Sequence, residues 1–425
     1  SWKATRQRVH SPKGRASLMR EWLRLQGGQG VDVLKVAQQK RRPWSGLTGR
    51  ARQSGQAGRD GDDFSHQVYD AMSGCLACKS CAGQCPIKVD VPEFRSRFLE
   101  LYHTRYRRPL RDYVMASLEF VMPAAAKFPA VFNGLMKQSW VRQAMASGLG
   151  IVDSPLLSRL DIAAALEAHG VRHASVPELE ALDPAERARS VILVPDSFTY
   201  LFETEQMVPL IELATRLGYR VWMAPLKPNG KPLHVQGFLK TFNRVARRNS
   251  EHLSGLARTG IALVGLDPAM TLVYRQEYLK VPGLTQVPEV LLPQEWLARV
   301  WPRAGKTETA PQTVTYRLLP HCTERTNAPA SVGQWQEVFA KAGLSLQVEA
   351  SGCCGMSGTY GHEARNYETS RVIFEQSWKN ALDASGVSAD AEPLATGYSC
   401  RSQVKRFGAR EIRHPLQALL AHARL

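Results

Sequence analysis

The stretch CLACKSCAGQCP, residues 75–86, places Cys75, Cys78, Cys81 and Cys85 in one short loop that closes on a proline. Thiolates are soft ligands, and a C-x2-C-x2-C loop can curl three of them around a single metal centre. The spacing predicts a [4Fe–4S] cluster, and a zinc site or a loop of free thiols is the alternative. Such a loop organises the chain segments on either side of it.

The last of the four thiols is expected to serve a different cluster from the first three. In two-cluster ferredoxins the cysteine that precedes the proline ligates the other cluster. Cys75, Cys78 and Cys81 are therefore predicted to share one cluster, and Cys85 to face a second. The sequence contains no second run of this kind. The run is thus predicted to be half of a pair.

The remaining cysteines form a second group much later in the chain: Cys322, the adjacent pair Cys353–Cys354, and Cys400. Disulfides fit poorly, because tightly spaced cysteines in a large chain suit metals in a reducing compartment. Adjacent side chains diverge, so the pair can ligate together only in a tight loop, which nearby glycines permit. An iron–sulfur cluster, another metal such as Zn²⁺, and buried free thiols stay open as interpretations.

The early part of the chain has the pattern of helices around a metal site. Apolar periodicity predicts helices in ASLMREWLRL (16–25), in FSHQVYDAM (64–72) and in the segment after the cysteine run, 93–122. Residues 45–63 are rich in Gly, Ser and charge without periodicity, which predicts a flexible linker. Residues 1–150 are therefore expected to form an α-helical, ferredoxin-like region.

From about residue 185 short apolar runs alternate with helical segments, which predicts an α/β fold with parallel sheets. Each cysteine of the second group follows a predicted strand, on the carboxyl edge where open α/β sheets build their sites. The strand candidates are SVILVPD (190–196), YRVWMAP (219–225), GIALVGLD (260–267), TVTYRLLPHC (313–322), LSLQVEASGCC (344–354) and EPLATGYSC (392–400).

These strand candidates fall into two sets that share element order and spacing, which predicts a duplicated module. Residues 151–305 would be a degenerate, cysteine-free copy, and residues 306–425 the copy that carries the thiols. Where the second copy has cysteines, the first has Ser197, Leu226–Lys227 and Asp267–Pro268 or their neighbours. His321, His362 and His414 lie near the second set of loops, and structural or hydrogen-bonding roles are expected for them rather than metal ligation.

The chain of 425 residues carries 55 Lys and Arg against 38 Asp and Glu, a formal charge of +17. This charge suits nucleic acid, an anionic membrane surface or an acidic protein partner alike. No nucleic-acid recognition motif is found, so nucleic acid is not expected as a partner. The apolar segment 114–136 is interrupted by charges and prolines and is predicted to be packed helix rather than a membrane span. A cytoplasmic location is expected, with a peripheral position at the inner membrane face as the variant.

The opening SWKATRQRVHSPKGRASLMREW, residues 1–22, resembles the iron–sulfur subunits of glycolate oxidase and anaerobic glycerol-3-phosphate dehydrogenase. In that family such a segment directly follows a first Cys-Pro motif, and Ser1–Lys3 and Ser11–Arg15 occupy the matching places. The resemblance implies that a Cys-Pro upstream of Ser1 completes the cluster on Cys75, Cys78 and Cys81. Cys85 would complete the cluster of that upstream motif.

The second cysteine group resembles the CCG domain that those proteins share with heterodisulfide reductase. Cys322, Cys353–Cys354–Gly355 and Cys400 match its pattern, and Gln403 stands where the fullest pattern has a last thiol. A heterodisulfide-reductase-like thiol/disulfide module, with chemistry at Cys353–Cys354, is therefore the alternative function.

The segments 65–103 and 351–378 are similar to the C-terminal half of bacterial fused FAD- and Fe–S-binding oxidoreductases. The best-known activity of that family implies oxidation of D-2-hydroxyglutarate to 2-oxoglutarate at FAD. The flavin would lie in a dehydrogenase domain upstream or in a partner subunit, since no FAD motif and no catalytic residue is found here. This chain would relay electrons to an acceptor such as a quinone-linked carrier.

Overall fold

The computed structural model describes residues 1–33, 35, 64–302, 314–383 and 391–422. The predicted linker 45–63 lies outside these residues. In the N-terminal part, Ser11 begins a long helix: its hydroxyl accepts from the Gly14 N–H at 3.0 Å, and a proline takes the first helical position. The helices here are α1 Trp2–Thr5, α2 Pro12–Gly28, α3 Ser65–Ser73, α4 Ser80–Gln84, α5 Val91–Arg105, α6 Leu110–Ala125, α7 Pro129–Lys137 and α8 Ser139–Ala144.

Helices α2, α3 and α5 pack around the start of the cysteine loop. The Trp22 ring lies edge-on to Phe98, with centroids 5.1 Å apart, and its indole N–H donates to Ser65 at 2.8 Å. Cys75 is buried in the same apolar cluster. The predicted helices 16–25 and 64–72 are therefore confirmed, and the first extends further in both directions than its pattern indicated.

The rest of the described chain alternates strands and helices, as the sequence predicts. The strands are β1 Arg172–His173, β2 Ser190–Val194, β3 Arg220–Met223, β4 Ala262–Gly265, β5 Val290–Leu291, β6 Thr315–Leu319, β7 Ser345–Val348 and β8 Glu392–Ala395. The helices before, between and after them are α9 Ile162–Ala168, α10 Val176–Glu180, α11 Pro184–Ala188, α12 Ser197–Phe202, α13 Met207–Arg216, α14 Lys231–Val235, α15 Leu239–Ala257, α16 Pro268–Gln276, α17 Pro293–Val300, α18 Cys322–Asn327, α19 Pro329–Lys341, α20 Tyr367–Phe374, α21 Asn380–Asp383, α22 Tyr398–Phe407 and α23 Pro415–His422.

The strands form two parallel sheets, with orders β1-β3-β2-β4-β5 and β7-β6-β8. The central trio β3-β2-β4 has the same order as β7-β6-β8: the first strand along the chain is in the middle, and the next two flank it. In both trios the register is parallel throughout. The observed strands thus confirm a mixed α/β fold, while the duplication itself stays a prediction.

One apolar core runs through both sheets. Every residue of β2 is buried, as expected for a strand covered on both faces. Val191 and Leu193 of β2 belong to the same cluster as Tyr316 and Leu318 of β6. Helices α17 and α19 supply Trp296 and Trp335 to that cluster and pack on each other between the sheets. The two sheets are therefore fixed to one another by shared packing.

The sheets also meet at the carboxyl ends of their strands. Asp267, which follows β4, caps α16 and also accepts a hydrogen bond from the Tyr398 N–H after β8, at 2.8 Å. Beside it Arg401 of α22 forms an ion pair with Glu203, its Nε donating at 3.0 Å. The two edges on which parallel sheets build their sites thus face one common space.

The apolar segment 114–136 is divided between α6 and α7, with Pro123 in the last turn of α6. Helix α6 packs on α12 and α14. Large apolar side chains are exposed on the other side of α6 and along α7. Phe128, which precedes α7, and Val131 within it are 68% and 71% exposed. Among the described residues, no helix has the length and apolar character needed to cross a bilayer.

Glu119 on α6 is 2% exposed and accepts hydrogen bonds from the backbone N–H groups of Asn229, at 3.1 Å, and Gly230, at 2.8 Å. Burial raises the pKa of this carboxyl to about 7. A raised pKa in the folded state favours folding while the group is protonated. This contribution is therefore complete below the ordinary glutamate pKa and is lost as the pH rises through about 7.

We expect Glu119→Gln to flatten the pH dependence of stability. Between about pH 5 and about pH 8 the wild-type protein should lose on the order of 2 kcal/mol of unfolding free energy through this carboxyl. Thermal unfolding midpoints at both pH values measure the effect, with the exposed Glu167→Gln as the matched control. Equal pH slopes for wild type and Glu119→Gln would contradict the assignment.

Candidate functional site

The cysteine loop makes two sharp turns around Cys78. Ala77 and Lys79, on either side of it, have positive φ values of 53° and 58°. Few non-glycine residues adopt this left-handed conformation, and such residues cluster at functional sites. The chain then enters α4, which carries Cys81, and Cys85 follows with its N–H donating to the Cys81 carbonyl at 3.0 Å.

The first three thiols lie close enough to affect one another. Cys75 and Cys81 share an apolar cluster with the helices around them. Burial raises the pKa of the Cys81 thiol, and the charge of Cys75 adds to the rise. Burial likewise raises the pKa of Cys78, to about 11, with further contributions from Cys353 and Cys75. The structure therefore brings Cys75, Cys78 and Cys81 together.

The second group also converges, from three separate positions in the sequence. Cys322 opens α18 after β6, the Cys353–Cys354 pair lies in the loop after β7, and Cys400 lies in the first turn of α22 after β8. Hydrogen bonds from Cys322 and Cys354 lower the pKa of the Cys353 thiol well below its ordinary value. The same bonds raise the pKa values of Cys322 and Cys354, and Cys354 also hydrogen-bonds Cys400.

The Cys353–Cys354–Gly355 loop is held by a chain of hydrogen bonds. The Gly355 N–H donates to the Cys353 sulfur at 3.4 Å, and the Gly355 carbonyl accepts from Ser370 at 2.8 Å. Gln403, in place of the last thiol of the fullest CCG pattern, donates to Ser370 at 2.9 Å. Gly355 has φ +92°, which only glycine adopts without strain. The tight loop predicted from its glycines is therefore present.

The two thiol groups meet, which the sequence did not predict. Cys78 lies within electrostatic reach of both Cys353 and Cys322, and it packs with Cys353 against Leu76 and Tyr360. All eight cysteines lie among the described residues and are free thiols. Five of them therefore converge on one place: Cys78, Cys322, Cys353, Cys354 and Cys400.

Two further contacts fix the cysteine loop against the second sheet. The Ser357 hydroxyl donates to the Leu76 carbonyl. Helix α4 packs on α18, where Gly83 approaches Thr326 so closely that an added Cβ would lie 2.5 Å from its methyl group. The relative position of the two thiol groups is thus set by direct contacts.

A buried ion pair anchors the same loop to the first sheet. Lys79 is 3% exposed, and its ammonium lies 2.9 Å from the Glu277 carboxylate, which also pairs with Lys231. Although burial disfavours its charge, Lys231 and Lys79 hold the pKa of Glu277 well below its usual range. The ion pair therefore holds the backbone beside Cys78 against the segment that follows α16.

The three histidines differ in their relation to the thiols. His321 caps α18 next to Cys322: its Nδ1 accepts from the Thr323 N–H at 3.2 Å, and its Nε2 lies 3.3 Å from the Ser399 hydroxyl. The Nδ1 of His362 lies 3.1 Å from the Val152 carbonyl, and burial lowers its pKa to about 4. His414 accepts from the Leu416 N–H at 3.1 Å. Their hydrogen-bonding roles agree with the prediction.

A large cavity opens beside the thiols, with an empty volume of about 1230 Å³ including its open mouth. Its lining includes Ala77, His321 and Ser399, which directly precede Cys78, Cys322 and Cys400 in the sequence. No sequence pattern pointed to this cavity, because its walls come from helices scattered over the chain.

The donor set fits an iron–sulfur cluster by its chemistry. Free cysteine thiols in two converging groups are the soft donors that such clusters use, and each iron of a cube binds its own thiolate. Within the described ranges, no group of three or more His, Cys, Asp or Glu side chains could hold a single metal ion as it stands. The assignment of Cys75, Cys78, Cys81, Cys85 and the second group as ligands stays a prediction.

The chain is similar to several curated proteins. It is 60% identical over 424 residues to the D-2-hydroxyglutarate dehydrogenase of Pseudomonas putida, a match that covers all of this chain and 41% of that protein. It is 44% identical over 426 residues to the D-2-hydroxyglutarate dehydrogenase of Escherichia coli, covering 99% of this chain and 41% of that protein. One component of the anaerobic glycerol-3-phosphate dehydrogenase of E. coli is 26% identical over 384 residues, covering 87% of this chain and 91% of that component.

The chain thus spans about two fifths of the length of the D-2-hydroxyglutarate dehydrogenases it matches. No family model matches it, and no solved structure matches it.

Proposed function

We propose that this chain is the electron-transfer region of a flavin-linked D-2-hydroxyglutarate dehydrogenase. The observation that carries the proposal is the meeting of the two thiol groups at Cys78 and Cys353. Two neighbouring groups of soft ligands form a path along which electrons can pass. The similarity to D-2-hydroxyglutarate dehydrogenases over the whole chain supports the substrate, oxidised to 2-oxoglutarate.

In this proposal Cys75, Cys78 and Cys81 hold one [4Fe–4S] cluster, and Cys85 faces a second. The resemblance of residues 1–22 to segments that follow a Cys-Pro motif supports an upstream Cys-Pro as the source of the fourth ligand. When bound, such clusters accept electrons one at a time and so can drain a two-electron flavin in steps.

We infer that the second thiol group holds a further cluster or Zn²⁺, in the manner of a CCG domain. Its residues are Cys322, Cys353, Cys354 and Cys400. The shared strand order of β3-β2-β4 and β7-β6-β8 supports the duplication of one module, with the thiols kept in the second copy. In the first copy Asp267, after β4, accepts a hydrogen bond from the Tyr398 N–H, the first residue of the helix that carries Cys400. The cysteine-free copy would therefore support the site rather than bind metal.

FAD and the hydroxy acid are proposed to bind a dehydrogenase domain outside this chain. That domain would be upstream in the same polypeptide or in a partner subunit. The electron acceptor would be a quinone-linked carrier. The net positive charge and the exposed apolar side chains of α6 and α7 support a cytoplasmic protein placed at the inner membrane face.

A thiol/disulfide module like heterodisulfide reductase is the second candidate. The low pKa of Cys353, with Cys322 and Cys354 hydrogen-bonded to its sulfur, supports it, because a stabilised thiolate beside a second thiol is the arrangement of disulfide exchange. This candidate requires Cys354→Ser to abolish disulfide reduction while the cluster on Cys75, Cys78 and Cys81 is retained.

The test is anaerobic titration of the natural full-length protein with D-2-hydroxyglutarate, followed by EPR. We expect substrate alone to produce the signal of reduced [4Fe–4S] clusters, with one 2-oxoglutarate formed for every two electrons stored. A chain extended upstream through a Cys-Pro motif should bind about four more iron atoms than residues 1–425 alone. Flavin reduction without any reduced-cluster signal would overturn the electron-transfer role.

A further inference from the structure

The cavity beside the thiols has the properties of a site for an amphipathic ring compound. Its walls are mostly apolar, with contributions from α6, α12 and α16. Its buried polar residues are Asp267, His321, Thr323, His362 and Ser399, all less than 9% exposed. Ligand sites typically combine this apolar lining with a few convergent polar groups. The apolar lining includes Val114, Met115, Leu118, Met122, Phe198 and Met270.

One polar part of the cavity is formed by residues that directly precede thiols in the sequence, and His362 forms another beside Ile151. His321 directly precedes Cys322, Ser399 directly precedes Cys400, and Ala77 directly precedes Cys78. Residues at the opposite rim, among them Met122, Met145 and Pro155, are only half-buried. A ligand that enters past this rim would therefore place its inner end against residues that directly precede thiols of both groups.

The charges exclude the small hydroxy acid as the occupant. D-2-hydroxyglutarate carries two carboxylates, which are recognised by basic side chains in bidentate or multiple contacts. Of the described residues that line the cavity, Lys231 is the one Lys or Arg, and it is already paired with Glu277. Asp267 adds negative charge. A neutral ring with polar oxygens and a hydrocarbon tail suits this lining better.

The rim continues into exposed apolar surface. On α6, Leu118 and Met122 face the cavity, while Phe120 and Val121 between them are 46% and 53% exposed. Leu156, next to the rim residue Pro155, is also exposed. A hydrocarbon tail leaving the cavity would meet this surface, which itself suits contact with lipid.

We propose that this cavity binds a lipid-soluble quinone, with one ring oxygen at His321 and Ser399 and its tail directed out past α6. The inference rests on the proposed function, because it names the acceptor of the same electrons. Reduction of the quinone to the quinol takes up two electrons, supplied by oxidation of the hydroxy acid, and two protons, supplied by solvent through the mouth.

The test is binding of decylubiquinone to the full-length protein, measured by isothermal titration calorimetry. Ala269→Trp, from α16, and Leu118→Trp, from α6, each place a large ring in the cavity from a different wall. We expect each to weaken binding at least tenfold. Phe120→Trp, on the outward face of α6, is the matched control and should bind as the wild type does.

Equal affinity in all four proteins, no binding at all, or displacement of decylubiquinone by D-2-hydroxyglutarate would overturn the proposal. The proposed function is tested separately, by oxidation of D-2-hydroxyglutarate with ferricyanide in the wild-type protein. If that oxidation is absent while the binding pattern holds, the function fails and the quinone site stands. If oxidation proceeds while the binding pattern fails, the reverse is true.

Discussion

Cys81→Ser is expected to remove about four iron and four sulfide atoms from each chain of the anaerobically prepared full-length protein. The serine hydroxyl is a poor substitute for a thiolate at iron, because it is a harder donor that stays protonated at neutral pH. Cys81 and Cys75 pack in the same group of apolar side chains. Without the iron–sulfur cluster, the remaining thiols lose the bound metal that would hold them together. Iron and sulfide analysis with EPR measures the outcome.

Cys85→Ser is the matched partner of this experiment, since it changes the same kind of atom in the same loop. Cys85 follows α4 and is predicted to serve the other ferredoxin-type cluster. The two variants should therefore lose different EPR signals, each with about four iron atoms. Loss of the same signal from both would show that the division of the four thiols between two clusters is wrong.

Gly355→Ala is expected to destabilise the loop of the second thiol group by about 3 kcal/mol. Gly355 has φ +92°, and a Cβ placed there would collide with the carbonyl oxygen of Ser370 in α20, which is fixed backbone. A left-handed conformation costs about 1–2 kcal/mol for a residue with a Cβ, and overpacking typically adds 1–3 kcal/mol. The displaced loop should also lose the metal bound through Cys353 and Cys354.

Gly358→Ala isolates the backbone part of this effect. Gly358 lies in the same loop with φ +61°, but an added Cβ meets nothing within 4 Å. Its cost should stay near 1 kcal/mol, with metal content unchanged. Thermal unfolding of the metal-free proteins, together with metal analysis of the loaded ones, separates the two variants. Equal thermal unfolding midpoints for the two variants would mean that the close approach to Ser370 is not the reason for a glycine at position 355.

Local patterns in the sequence were sufficient to predict the class of the fold. The six predicted strand segments each contain an observed strand, because short apolar runs bounded by turn residues are a local property. The two-residue strands β1 and β5 were missed, since they are too short to show a pattern. The segment 114–136 was predicted as packed helix, but it forms two helices with exposed apolar side chains.

The composition of each thiol group was predictable from spacing and from the strand that precedes each cysteine. The contact between the two groups was not predictable, because Cys78 and Cys353 are brought together by tertiary contacts, which leave no periodic pattern in the sequence. The ion pair of Lys79 with Glu277 and the cavity next to His321 went unpredicted for the same reason.

The hydrogen bond from Ser357 to Leu76 joins residues 281 positions apart in the sequence. Ribosomes add about 5–20 residues each second, so the cysteine loop emerges on the order of tens of seconds before its partner is made. During that interval the loop lacks its contact with the segment around Ser357. The finished environment of the loop is therefore a late product of biosynthesis, complete only after the segment around Ser357 has been made.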